Sequence, residues 1–88
     1  MSVVIYEVII GTSVNKDLRK IQPSVAKVII GRIKNLSLDP RPIGSTKLQG
    51  SDDLYRIRYS DYRIIYRLEQ TKLVVLIIKI GHRKDVYR

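Results

Sequence analysis

Apolar residues follow two periods along this chain, and each period predicts its own element. Residues 3–10 are dense in β-branched side chains and stop at Gly11, which predicts a strand. Thr12 or Ser13 then offers a cap for a short helix whose apolar positions, Val14, Leu18 and Ile21, fall at helical spacing. Gln22-Pro23 interrupts that pattern, and Pro23 suits the first turn of a second helix. Val25, Val28, Ile29, Ile33 and Leu36 make its apolar stripe, which Gly31 weakens by about 1 kcal/mol relative to Ala. Asp39-Pro40-Arg41-Pro42 stops the second helix. Two stripes on consecutive helices predict an antiparallel αα-hairpin laid on a sheet.

Residues 39–53 form a long connection with Gly44, Gly50 and an acidic tip at Asp52-Asp53. A loop of that length in a small domain is often functional. Three strands then follow closely. Residues 55–59 alternate with Arg, residues 62–68 alternate for most of their length, and residues 73–80 are almost continuously apolar, as in a central strand that Gly81 ends. The predicted order is β-αα-βββ. That is an α+β fold in which an antiparallel meander carries the αα-hairpin on one face, all within a single domain, 1–88.

The hairpin centred on Ser60-Asp61 is the most informative part of the pattern. Folding there sets Tyr59 against Tyr62, Ile57 against Ile64 and Tyr55 against Tyr66, so six apolar or aromatic residues share one face and are expected to pack on the helices. On the other face Arg58 falls opposite Arg63, Arg56 lies two residues away opposite Ile65, and Arg67 lies further along. Like charges directly opposed cost roughly 0.2–1 kcal/mol, so the arrangement does nothing for folding. Loss of either arginine is therefore expected to leave stability equal or slightly higher. A solvated face with Arg stems lying along it is the plain reading of such a stripe. The sharper reading is a polyanion site, because the Arg fork matches phosphate geometry.

Charge favours the sharper reading. Seventeen Lys and Arg against eight Asp and Glu leave a net charge of +9 on 88 residues, which points to an anionic partner. Residues 55–88 hold 9 basic and 3 acidic groups, a net +6, against 8 and 5, a net +3, in residues 1–54. Tyr87 is the only aromatic residue after Tyr66 and lies in the basic tail with His82, Arg83, Lys84 and Arg88. A basic groove with an aromatic platform is how single strands are held.

Other chemistries lack their residues. With no cysteine and one histidine, the chain offers no disulfide framework, no thiolate zinc site and no cysteine nucleophile. No carboxylate cluster is spaced for Mg²⁺ and no Gly-rich phosphate loop appears, so no metal or cofactor is expected. No apolar run approaches the roughly 18 residues of a membrane span, and Met1-Ser2-Val3 does not open a signal peptide, so a cytoplasmic location is expected.

Four segments together resemble the RelE/ParE toxin superfamily, and its RelE branch in particular. They are Lys47-Leu48-Gln49-Gly50, Leu54-Tyr55-Arg56-Ile57-Arg58, Asp61-Tyr62-Arg63-Ile64-Ile65-Tyr66 and Gly81-His82-Arg83-Lys84-Asp85-Val86-Tyr87. The resemblance implies the toxin of a type II toxin–antitoxin system, an endoribonuclease that cuts mRNA in the ribosomal A site by 2′-hydroxyl attack. The product would be a 2′,3′-cyclic phosphate, and a RelB-like antitoxin would be the partner. It also implies roles: Arg56 and Arg58 for phosphate contact and proton transfer, Arg63 for the developing phosphorane charge, Arg83 for the leaving group, and Tyr87 for stacking on a base. Lys47, His82, Lys84 and Arg88 are the expected further RNA contacts. Members of the branch often carry Lys at the positions of Arg56 and Arg58. Arg, with a pKa above about 12, is a poor proton-transfer group, and His82 is the side chain here that titrates near neutrality. A ParE-like inhibitor of DNA gyrase and a non-enzymatic basic RNA-binding module are the competing readings.

Overall fold

The computed structural model describes residues 4–83. Its elements are β1 (Glu7–Ile10), α1 (Thr12–Arg19), α2 (Pro23–Asn35), β2 (Thr46–Lys47), β3 (Leu54–Tyr59), β4 (Tyr62–Glu69) and β5 (Val74–His82). Pro23 opens α2 as the pattern predicts. Gly11 is the N-cap of α1, in extended conformation, because Thr12 already has helical geometry; neither Thr12 nor Ser13 caps the helix. Gly31 does not break α2. Ile29 and Ile33, two residues to either side, are fully buried, and that packing outweighs the weak propensity of one exposed glycine.

The sheet has five strands in the order β1-β5-β4-β3-β2. β3, β4 and β5 form the predicted antiparallel meander. Two features were not visible locally. β1 pairs with β5 in parallel, from Glu7↔Val74 to Ile10↔Ile77, so the sheet is mixed. The long connection also supplies β2, whose Thr46 and Lys47 pair with Arg56 and Tyr55. Gly81 does not end β5 either: the strand runs on to His82, placing Gly81 opposite Arg63 and His82 opposite Tyr62.

A register shift between Ile65 and Tyr66 decides which residues of β5 enter the core. Ile65 pairs with Lys79 but Tyr66 pairs with Ile77, so Ile78 is the extra residue of a bulge. Without it Ile77 and Ile80 would point to opposite faces. With it both are buried, and Ile78 turns toward solvent. The core combines Val14, Ile21, Ile29, Ile33 and Leu36 from the helical region with Ile57, Ile64, Tyr66, Leu68, Val75, Ile77 and Ile80 from the sheet. The three cross-strand pairs of the β3–β4 hairpin therefore face the helices as expected. Tyr66 anchors the loop after α2: its ring stacks on Tyr55 with centroids 5.9 Å apart, and its hydroxyl donates to the Pro40 carbonyl at 2.6 Å. Burial pushes the Tyr66 phenol up to about 12.

Candidate nucleic-acid interface

The β3–β4 ladder places the arginines in register as the sequence predicts. Arg58 pairs with Arg63, Arg56 with Ile65, and Leu54 with Arg67. Ser60 and Asp61 alone close the hairpin, with Ser60 in the left-handed region at φ 55°. Across β4 the next neighbours on this face are Gly81, opposite Arg63, and Lys79, opposite Ile65. Alternation therefore gathers Arg56, Arg58, Arg63, Arg67 and Lys79 on the face away from the helices.

Their environments differ more than the pattern implied. Arg58 is exposed and Arg56 half-buried, but Arg63 is only 7% exposed. A uniformly solvated stripe is thus corrected at its central member. Arg63 lies on β4, between β3 and β5, and its neighbour on β5 is a glycine, which sets no side chain beside it. Its Nη1 donates to the Tyr62 carbonyl at 3.3 Å. The fold thus sets a buried guanidinium directly across the ladder from an exposed one. The stability expectation changes with it: removing a buried Arg63 deletes packing and a hydrogen bond, and that loss outweighs the like-charge contact it relieves.

Each end of the stripe carries a carboxylate. At one end Asp53 Oδ2 lies 3.2 Å from Arg67 Nε, an electrostatic contact in which the N–H is not aimed at the oxygen. Asp53 is itself held by Ser51, whose hydroxyl donates to Oδ1 at 3.0 Å, and its carbonyl accepts the Leu68 N–H at 2.8 Å. At the hairpin tip Asp61 Oδ1 lies 4.0 Å from Arg83 Nε, and the Asp61 carbonyl accepts the Arg83 N–H at 2.7 Å. Sequence reasoning took Asp52-Asp53 for a simple turn tip and gave Asp61 no role. The opposite charge of Asp61 against the basic tail was the available signal.

The remaining candidates divide. Arg83 is fixed beside the hairpin tip by its own backbone. His82 packs edge-on against Tyr62, with centroids 5.7 Å apart, and so belongs to the helix side of the sheet rather than to the arginine face. There it lines a cavity of about 300 Å³ together with Asp17, Lys20, Ile21 and Tyr62. Asp17 Oδ2 accepts the Ile80 N–H at 3.5 Å at the edge of that cavity. Lys47 is exposed but pairs with Tyr55, which puts it on the helix side as well. Lys84, Tyr87 and Arg88 lie outside the described residues. Among the described residues no three His, Asp or Glu side chains come together as metal ligands, and no helix is long and apolar enough to cross a membrane.

A family model described as the ParE toxin of type II toxin–antitoxin systems matches residues 8–87. The chain belongs to the RelE/ParE superfamily of type II toxins. Toxin RelG of Mycobacterium tuberculosis is 30% identical over 84 residues, covering 94% of this chain and 97% of that protein. The mRNA interferase toxin RelE of Escherichia coli is 34% identical over 76 residues, covering 82% and 79%. Among solved structures, the toxin of the RelE-RelB complex of Pyrococcus horikoshii superposes with a TM-score of 0.81 at 30% identity, covering 92% of this chain and 98% of that one. The RelE-like α+β fold expected of this toxin is confirmed by that likeness.

Proposed function

We propose that this toxin is an endoribonuclease that cuts mRNA on the ribosome, in the cytoplasm, without a metal ion, and that a RelB-like antitoxin restrains it. Relatives named mRNA interferases support the activity. Solved neighbours include complexes of RelE with RelB, which supports the partner. The observation that carries the reading is the juxtaposition of Arg58, exposed, with Arg63, buried, directly across one ladder.

That pair suits phosphoryl transfer. Attack of a ribose 2′-hydroxyl on the adjacent phosphorus releases its proton to water, forms the 2′-O–P bond, builds negative charge on the non-bridging oxygens and breaks the bond to the 5′-oxygen, which takes up a proton from water. The products are a 2′,3′-cyclic phosphate and a 5′-hydroxyl. Arg63, buried and held by the Tyr62 carbonyl, is the preorganised cation for the phosphorane charge; it needs little reorientation, which is what makes fixed charges effective. Arg58 and Arg56 hold the flanking phosphates. Arg83, held beside the hairpin tip by Asp61, serves the leaving oxygen, and Tyr87 stacks on a base. Arg58 supplies charge rather than a proton shuttle.

The test is cleavage of ribosome-bound and free RNA, with 5′ ends mapped, against a substrate carrying one 2′-deoxynucleotide at the cut site. The reading expects the deoxy substitution to abolish the cut and a chelator to leave cleavage of free RNA intact. Inhibition of DNA supercoiling with no RNA cleavage would establish the ParE-like reading instead.

A further inference from the structure

The arginine face is bounded by two similar devices. At one end Asp53 pairs with Arg67, and its carbonyl accepts an N–H from β4. At the other Asp61 pairs with Arg83, and its carbonyl accepts the Arg83 N–H next to β5. In both cases an aspartate adjoining β3 or β4 sets its carboxylate beside an outer arginine while its carbonyl accepts a backbone N–H, that of Leu68, next to Arg67, in the first case and that of Arg83 itself in the second. All four side chains are between 41% and 59% exposed. Exposed pairs of this kind contribute little to stability, so the fold does not require them. Their effect is on the potential of the face: each limit carries a negative charge beside its arginine.

We propose that Asp53 and Asp61 are specificity-determining residues that limit how much RNA the face engages. Each carboxylate compensates the outermost arginine and presents a negative charge where the next phosphate of a bound strand would lie. A strand crossing the face is held at Arg56, Arg58 and Arg63, with Arg83 kept beside the central phosphate instead of reaching for a further one. The footprint is thereby a few nucleotides, although the chain as a whole carries +9. This inference rests on the reading of the face as an RNA site.

The experiment measures equilibrium binding of fully 2′-O-methylated single-stranded RNA, which cannot be cut, in a nested set from three nucleotides to nine across a salt series. On a single strand each neutralised phosphate adds about −0.7 to the slope of log K against log salt. Asp53→Asn and Asp61→Asn should each steepen the slope for the longer oligomers by about 0.7, and the double variant by about 1.4. The wild type should stop gaining affinity at a shorter oligomer than the double variant. Asp52→Asn changes the net charge equally, but Asp52 makes no ion pair among the described residues, and it should leave the slope unchanged. Arg67→Gln added to Asp53→Asn should return the slope to the wild-type value. Slopes for Asp53→Asn and Asp61→Asn that match Asp52→Asn would overturn the proposal while leaving the RNA site standing. So would variants that alter only the salt dependence of association with an acidic protein partner. A wild type that binds none of the oligomers would remove the RNA reading, and this inference with it.

Discussion

The two faces of the β3–β4 hairpin are made of alternate residues of the same strands, yet different physics decides them. On the helix side Ile57, Ile64, Tyr66 and Leu68 are buried, and each is there because it removes apolar area from water. On the other side Arg58 lies directly opposite Arg63, a like-charge contact that apolar burial does not explain. One face is explained by burial alone and the other is not. A small domain has few kilocalories to spare, and the opposed pair Arg58 and Arg63 is the reason the proposed RNA site is read onto this face. Arg63 belongs partly to both, because it is charged like one face and buried like the other.

Substitutions can separate the two sides. Ile64→Ala, on the covered face, should cost about 2–5 kcal/mol and abolish activity only through unfolding. Urea denaturation should show the loss, and whatever fraction remains folded should cleave normally. Arg63→Ala should break the separation. Cleavage should fall by about 10²–10³, the value of one preorganised charge-stabilising group, and stability should also fall by about 1–3 kcal/mol, a usual cost at a buried site. Arg58→Ala, its exposed partner, should lose activity with a melting temperature that is unchanged or slightly raised. Equal thermal shifts for the two variants would mean that burial does not distinguish them.

Tyr66→Phe sharpens the covered side. It removes the hydrogen bond to Pro40 and should cost about 1 kcal/mol near neutral pH. The wild type should also respond to alkali. The folded phenol titrates at about 12 against 10.0 for the ordinary group, so its contribution is fully present below pH 10 and is lost as the pH rises toward 12. Denaturant midpoints measured across that window should fall for the wild type and less steeply for Tyr66→Phe. The smallest effect lies at the hairpin tip. Ser60→Gly relieves a left-handed residue and should raise stability by at most about 1 kcal/mol, without changing cleavage. A loss of cleavage there would show that the Ser60-Asp61 turn participates beyond fixing the register.

The parts legible in the sequence were those that depend on neighbours in the chain. Pro23 opened the second helix because proline suits a helix's first turn, whereas α2 ends at Asn35, before the Asp39-Pro40 stop that the sequence suggested. The cross-strand pairs from Tyr59↔Tyr62 to Arg56↔Ile65 followed from a two-residue turn and a period of two, neither of which needs a third element. Hence the juxtaposition of Arg58 and Arg63 was available before any coordinates. What only the tertiary structure decided involves partners far apart along the chain. The parallel pairing of Glu7–Ile10 with β5 joins residues whose local pattern says strand but not which edge. The bulge at Ile65/Tyr66 inverts the alternation of β5 so that Ile77 and Ile80 meet one core, and no continuous apolar run announces such a slip. The burial of Arg63, the tether of Arg83 to Asp61 and the turning of His82 toward Tyr62 all follow from β5 lying beside β4. Periodicity assigns a residue to a face; how deep it sits there, and which charge meets it, is set by the strand that packs alongside.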